Sequence, residues 1–592
     1  MDPRELYDDR FIAKAKKALS DLGASSDPVI EKPKKGMADL CLVCFPFAKE
    51  LRRSPEAIAG DVKDRIGPDE NFSLEVKGGY LNCIFDPRSY TSDIARFLWK
   101  NRTKLGKGSK IDERVVVEHT SANPNGPFHV GRARNPIIGD SLVKVMRHAG
   151  HEVTAQYWVN DMGKQVMILV WGLKNIDASE LEPAERDKED HILVRFYQKA
   201  NALMEEKPDV KDEIGRILYN YENAVAERDW DRIISTEGKP VIRASDVRKA
   251  CDDVLAGMRE SLNRLNVSID EFVYESRVVE DRSLQDVISG LERSSLLREE
   301  NGAKYLDLSR LIEGGDDKDY KRRFVFTRSD GSALYTTRDL AYHKWKLDNW
   351  DHAVNVLGED HKYQSLMLGL ALRELGSEKL PEVVFYSFVS LPEGKMSTRR
   401  GRVVYLDDLL DEAVDLARIE VEKRREDLSE GELASISEAV GIGALRFNMI
   451  KVQPEKKIVF RWEEALNFEG SSAPFVQYSH ARACSILRRS GEEVEGEFDW
   501  GSLVEDSERD LVKKLADFDR IVMKSAADRK VHLLTVYLVE TASTFNEFYR
   551  DCPVISEEDP SRRKARLGLV ELSREVLSAG LSLLGIESPA SM

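Results

Sequence analysis

The chain has 592 residues, 42% hydrophobic and 33% charged, which excludes a disordered polypeptide and gives room for about three to five domains. Six cysteines are too few for a disulfide scaffold, and no apolar run reaches membrane-span length. The net charge of −16 is uneven: residues 1–108 carry +3, residues 466–592 carry −6, and the rest is acidic. An acidic protein can still bind RNA through local basic patches, so the average excludes nothing by itself.

The N-terminus is charged and lacks a signal-peptide core, so the chain is expected in the cytoplasm. Residues 1–108 read as a small α/β domain. Helices are expected over Arg10–Asp21 and Ala48–Arg65, a strand near Asp39–Cys44, and a hairpin over Phe72–Phe85 turning at Gly78-Gly79. Cys41 and Cys44 form a lone CxxC in an apolar run, which reads as buried thiols and not as a zinc site. Lys49, Arg52, Arg53, Lys63 and Arg65 make the second helix basic; charge alone leaves an RNA contact and a solvated face equally open. Lys104–Lys110 reads as a linker.

From Val115 to Asp140 the chain runs VVVEHTSANPNGPFHVGRARNPIIGD, a pattern of strand, irregular loop and helix. Val115, Val116 and Val117 suit a buried parallel strand. The loop from Glu118 to Val130 carries two prolines, a glycine, two asparagines and two histidines. Helical spacing of Ile137, Ile138, Leu142, Val145 and Met146 follows, then a second strand over Val153–Val159. The polar loop thus sits at the carboxyl edge of the first strand, where open α/β sheets bind ligands. Gly131, the helix N-terminus, His129, Arg132 and Arg134 suit a phosphate. An isolated His-Val-Gly would be an ordinary loop.

Asp161 and Gln165 follow the second strand one helical turn apart; a helix cap explains Asp161 equally well. Residues 175–266 are charged and helix-prone, an insertion to which no chemistry is assigned. Phe324–Asp339 reads as strand, turn at Asp330-Gly331, and helix start, with Tyr335 and Asp339 on one helical face. A strand over Ala353–Leu357 leads to the loop Gly358–Gln364, and a strand over Val383–Leu391 leads to the glycine-bracketed basic loop PEGKMSTRRG. Beyond Tyr405 the pattern is helical, with helices expected over Leu406–Arg425, Leu433–Val452, Arg509–Lys524 and Leu533–Arg550.

The string Ala122, Asn123, Pro124, Asn125, Gly126, Pro127, Phe128, His129, Val130, Gly131, Arg132 resembles the HIGH signature of class I aminoacyl-tRNA synthetases in its arginyl-tRNA synthetase form. Arg132 stands where the second histidine is usual. Lys395, Met396, Ser397 and Thr398, followed by Arg399, resemble the KMSKS signature, with Thr398 in place of the second lysine. The two strings lie in the family order, more than 260 residues apart. FPFAKELRRSPEAIA resembles the family's N-terminal domain, and PFVQYSHARACSILRR with the C-terminal helices resembles its anticodon-binding domain; the likeness looks archaeal.

The resemblance implies a Rossmann-like α/β catalytic domain at 109–404, a helical connection at 405–465, an all-α anticodon-binding domain at 466–592, and a tRNA-binding domain at 1–108. It implies an arginine–tRNA ligase using ATP with Mg²⁺, L-arginine and tRNA(Arg), with no zinc, no membrane and a monomeric chain. His129, Gly131, Arg132 and Lys395 to Arg399 are implied at the ATP phosphates, and Gly358, Glu359 and His361 near adenosine. Glu118, Ser121, Asn123, Tyr335, Asp339 and Gln364 are implied around arginine, with Glu118 and Asp339 as two carboxylates for one guanidinium. Arg52, Arg53, Gln477, Tyr478, His480, Arg482 and Tyr549 are implied against tRNA. Family members commonly need bound tRNA before arginine is activated. A synthetase for another amino acid and a degenerate RNA-binding relative are the alternatives. Scattered thiols speak against the zinc-bearing cysteine branch, and the short polar insertion speaks against a hydrophobic branch with an editing domain.

Overall fold

The computed structural model describes residues 2–33, 38–309, 311, 322–391, 394–395, 398–399 and 402–592. The first module is a four-stranded antiparallel sheet in the spatial order Ile30–Glu31, Leu40–Val43, Tyr80–Phe85, Phe72–Lys77. Its core of Phe11, Leu42, Phe47, Ile58, Leu81 and Phe85 is separate from that of the rest. The expected helix over Ala48–Arg65 is two helices, Ala48–Leu51 and Pro55–Ile66. The Ser54 side chain caps the second at the backbone N–H of Ala57, Pro55 opens it, and Arg52 turns left-handed between them. Helix Pro87–Asn101 anchors the module to the C-terminal helices through Trp99 against Phe498, with ring centroids 4.6 Å apart.

The centre is a five-stranded parallel sheet of β1 (Arg114–Glu118), β2 (Glu152–Val159), β3 (Glu271–Tyr274), β4 (His352–Gly358) and β5 (Glu382–Tyr386). Their order is β5-β4-β1-β2-β3. Val115, Val116 and Val117 are fully buried, as a strand covered on both faces requires. Strand order reverses between β1 and β4, so the crevice at their carboxyl ends is the topological switch point. Helix α1 (Arg134–His148) crosses from β1 to β2. The expected insertion is helical: Glu189–Glu206, Pro208–Glu227 and Ala244–Arg264 lie between β2 and β3.

Between β3 and β4 the chain forms a three-stranded antiparallel sheet with Ala303–Asp307 central, then α2 (Tyr335–Asn349). The strand expected over Val383–Leu391 is interrupted. After β5, Ser387 donates its N–H to Pro454 O at 2.9 Å, and Val389–Leu391 joins another sheet beside Ile458–Val459.

Helices α3 (Leu406–Glu422) and α4 (Glu430–Ile450) follow, with Ser429 and Glu432 forming a capping box. The final helical layer holds α5 (Ala473–Ser490), α6 (Asp506–Ala516), α7 (Phe518–Ala527), α8 (His532–Asp551) and α9 (Pro560–Leu583). The single helix expected over Arg509–Lys524 is thus two, meeting at Asp517. All six cysteines are free thiols. Among the described residues no helix is long and apolar enough to cross a membrane.

Candidate active site

At the end of β1 the backbone turns sharply. Thr120 and Ser121 have φ of 75° and 35°, a region that costs a non-glycine residue about 1–3 kcal/mol unless its surroundings hold it there. They are held. Asn135 Oδ1 accepts the Thr120 N–H at 2.7 Å, and Asn135 Nδ2 donates to Val356 O on β4 at 3.0 Å. Ser121 Oγ donates to Glu118 Oε1 at 3.2 Å and accepts the N–H of Trp158 at 3.1 Å, prolonging the β1–β2 ladder by a side chain. Tyr157 donates its hydroxyl to Ala122 O at 2.6 Å. Pro124, Gly126, Pro127, Phe128 and Val130 are buried beneath, Asn125 is half-buried, and Asn123 is exposed, donating to Gln165 at 2.8 Å.

His129 Nδ1 accepts the Gly131 N–H at 3.1 Å, which puts the proton of the neutral ring on Nε2. That bond closes the turn Val130–Arg132 just before α1, and Arg132 lies exposed beside it. The neighbouring Arg134 is different in kind. Its buried guanidinium donates to five backbone carbonyls, those of Ser387, Met449, Gln453, Pro454 and Lys456, at 2.6–3.1 Å. No carboxylate pairs with it in that set, and burial pulls its pKa down to about 10. Arg134 therefore serves as a rivet between α1 and the crossing after α4, not as a phosphate ligand.

The two signature regions meet through backbone. Val130 N–H donates to Val404 O at 3.1 Å and Leu406 N–H donates to Phe128 O at 2.8 Å, around a bridge between His129 and Tyr405. The exit of the second loop is thus paired to the first. Of that loop, Lys395, Thr398 and Arg399 are described in backbone only, and Met396 and Ser397 lie outside the described residues.

Across the crevice, Tyr335 opens α2 and Asp339 follows one turn later. Tyr335 is 41% exposed. Its phenol is pushed well above its ordinary pKa by burial, then by the carboxylates of Asp339, Glu275 and Glu118. The Asp339 side chain is 14% exposed, with Oδ1 3.1 Å from His343 Nδ1. Glu275, fully buried at the end of β3, pairs with Arg338; burial raises its pKa to about 7 against the pull of that guanidinium.

Glu118 requires a correction. Its Oε2 accepts from Lys346 Nζ at 2.6 Å, and that lysine is fully buried. A carboxylate matched by the protein's own ammonium is not a spare charge for a guanidinium. Expected as a second acidic partner of arginine, Glu118 instead holds Lys346 and Ser121. Glu359 likewise accepts from Ser387 Oγ at 2.9 Å. Gly358 is buried at the end of β4, where a Cβ would come within 2.5 Å of Asp360 Oδ1. His361 is exposed and 3.3 Å from Gln364 Oε1.

Two positions in the helical domain also differ from expectation. Gln477 is fully buried and donates to Ala439 O and Glu587 O at 3.0 and 2.8 Å. Buried His480 meets Pro589 O at 3.0 Å, and burial lowers its pKa. Both tie the C-terminal tail to the helices and lie buried, away from the surface a base could reach. Arg482 instead lies over the rings of Tyr478 and Tyr549, 4.9 and 5.3 Å from their centroids, with Tyr549 40% exposed. In the first module Arg52 is exposed and Arg53 is paired with Asp61. Among the described residues no group of three or more His, Cys, Asp or Glu side chains could hold a metal ion.

A parallel sheet with a histidine-capped turn at its switch point, joined by backbone to a second loop, defines a class I aminoacyl-tRNA synthetase core. Residues 93–462 match the family model described as tRNA synthetases class I (R), catalytic domain. Residues 9–85 match the arginyl tRNA synthetase N terminal domain, and 476–592 the DALR anticodon binding domain. The arginine–tRNA ligase of Methanocella arvoryzae is 43% identical over 549 residues, covering 93% of this chain and 92% of that protein. That of Methanothermobacter thermautotrophicus is 41% identical over 580 residues, covering 97% of each. The solved arginyl-tRNA synthetase of Thermus thermophilus superposes with a TM-score of 0.77 at 28% identity, covering 98% of this chain and 99% of that one. The chain belongs to the arginyl-tRNA synthetase family.

Proposed function

We propose that the crevice between β1 and β4 binds MgATP and L-arginine side by side, with Asp339 and Tyr335 reading the guanidinium. The reaction is that of an arginine–tRNA ligase: ATP-dependent activation of arginine, then transfer to tRNA(Arg). The arginine carboxylate attacks the α-phosphorus, diphosphate leaves, and a terminal ribose hydroxyl of the tRNA takes the arginyl group from the adenylate. Neither step uses an enzyme nucleophile. What the chain supplies is position and charge.

His129, through its Nε2 proton, and the N-terminus beyond Gly131 face the phosphates, with Arg132 and Lys395 adding cationic donors. Asn123 and Gln364 hold the α-amino group, and Gly358 with His361 borders the adenosine. Asp339 accepts two parallel guanidinium N–H bonds, for which a carboxylate is the matching acceptor. In the helical domain Tyr478, Arg482 and Tyr549 offer stacking faces and a cation to unpaired tRNA bases, and the first module, with Arg52, meets the tRNA backbone.

The observation that carries this reading is the placement of Asp339 one helical turn beyond Tyr335 at the head of α2, with its carboxylate beside the His343 ring. With Glu118 matched by Lys346 and Glu275 by Arg338, Asp339 is the carboxylate left to a cationic ligand. Steady-state aminoacylation by Asp339→Ala tests it: the arginine KM rises at least about tenfold while the ATP KM stays within about threefold. Equal changes in both would remove Asp339 from the arginine pocket.

A further inference from the structure

Behind Asp339 runs a closed set of buried polar groups that the reaction as described does not use. Asp339, His343 and Lys346 lie at i, i+4 and i+7 on one face of α2. Facing them is Asn355 on β4, whose register partner across the switch point is Glu118 on β1. His343, Lys346 and Asn355 are 5%, 0% and 2% exposed. We propose that Lys346, Asn355 and His343 form a one-directional relay that aims a ring N–H at Asp339 and so sets the rotation of the guanidinium-reading carboxylate. This rests on the reading of Asp339 given above.

The direction follows from the donors. Lys346 has three protons and no acceptor. One goes to Glu118 Oε2 at 2.6 Å and one to Asn355 at 2.8 Å, while Nζ also sits 4.3 Å from the centroid of the Tyr342 ring. Only the amide oxygen of Asn355 can accept from an ammonium, so its amide nitrogen faces away, toward His343 Nε2 at 2.7 Å. That nitrogen donates, so Nε2 must be the unprotonated, accepting nitrogen of a neutral ring. The ring proton is left on Nδ1, where it bonds the main-chain carbonyl of Asp339 at 2.8 Å, with Asp339 Oδ1 beside the same edge of the ring, 3.1 Å from that nitrogen.

Reversing any member reverses or breaks the chain. A flipped Asn355 would set NH₂ against NH₃⁺, and a charged His343 would set N–H against NH₂. The fixed charge of Lys346 therefore dictates which histidine tautomer Asp339 meets. The N–H edge of the ring beside Oδ1 favours one rotation of the carboxylate, whereas the opposite tautomer would set a lone pair against it. That plane is the one a bidentate guanidinium must share. Glu118, matched by Lys346, gains a role here: it keeps the ammonium in place at the head of the relay. His343, Asn355 and Lys346 are positioning residues, since none touches substrate in this account.

Two substitutions at His343 separate the relay from packing. In His343→Asn the side-chain amide N–H sits near the place of Nδ1–H, and in His343→Gln the amide reaches the place of Nε2. The expected result is an arginine KM within about threefold of the parent for His343→Asn and at least about tenfold higher for His343→Gln, the ATP KM unchanged in both. Equal arginine KM values in the two variants overturn the proposal. Asn355→Asp, nearly isosteric, guards against misfolding at position 343. A carboxylate there draws a second proton onto His343, the imidazolium then competes with substrate for Asp339, and the arginine KM rises at least about tenfold with kcat at saturation retained. An unchanged arginine KM in that variant overturns the proposal too. Asp339→Ala serves as the reference arm. If it raises the arginine KM while the relay variants do not, the relay alone is wrong; if it too is silent, the pocket itself is misassigned.

Discussion

The pairing of Glu118 with Lys346 gives the sharpest energetic expectation. The Lys346 side chain is fully buried and that of Glu118 is 9% exposed, with 2.6 Å between the charged atoms. Glu118→Gln leaves a buried ammonium whose opposing charge is gone, and removing one member of a buried pair costs about 3–5 kcal/mol. Lys346→Met strands the carboxylate and falls in the same range. The double variant removes both charges and keeps similar volumes. Its loss should be smaller than the sum of the singles by at least about 2 kcal/mol, the signature of a directly coupled pair. Urea unfolding of the three variants and the parent provides the cycle. Tryptophan emission follows the transition, and one of the eight indoles, Trp158, stacks on Tyr342 next to the pair, with centroids 3.9 Å apart. Additive losses would refute the pairing. So would a Glu118→Gln protein of parental stability whose arginine KM alone rises, for then Glu118 would be touching the guanidinium after all.

Other expectations follow from the same reasoning. Arg134→Lys keeps the charge but, with three donors, cannot serve five carbonyls. It should lower kcat for aminoacylation at least about tenfold and cost roughly 2–4 kcal/mol in urea unfolding, by loosening the junction of α1, Ser387 and residues 449–456. Unchanged stability would mean the carbonyls are satisfied elsewhere. In the helical domain Gln477→Leu should destabilise the protein by about 1–2 kcal/mol, since it removes the two side-chain hydrogen bonds that tie Ala439 to the C-terminal tail. Arg482→Ala should leave stability within about 1 kcal/mol and raise the KM for tRNA(Arg). The reverse pattern would restore Gln477 as an RNA contact.

Much of this arrangement was legible in the sequence because it is local. Three successive valines, the irregular loop, and apolar spacing over Ile137–Met146 give the first strand, loop and helix in order. The hairpin over Phe72–Phe85 and its turn are of the same kind. The break at Ser54-Pro55 carries the same kind of local signal, a capping serine followed by proline, set within a basic run that reads as one continuous helix face. What stayed hidden is long-range charge pairing. Lys346 sits in HKWKLDN beside Lys344 and looks like its twin. Yet Lys344 pairs with Asp348 near the surface, while Lys346 points inward to a carboxylate 228 positions earlier in the chain. Arg134 reads as one more phosphate ligand until the carbonyls of residues 449–456 surround it. Gln477 and His480 read as RNA contacts because their partners, Glu587 and Pro589, belong to the last residues of the chain.

The central claim is that Asp339 reads the charge of a guanidinium, and L-citrulline, which replaces that group by a neutral urea of nearly the same shape, measures it most directly. Calorimetric competition between arginine and citrulline, in the presence of ATP analogue and tRNA(Arg), gives the preference of the parent and of Asp339→Asn. The account predicts that the parent prefers arginine by at least about a hundredfold and that Asp339→Asn loses at least about tenfold of that preference. A variant that still prefers arginine as strongly as the parent would contradict it.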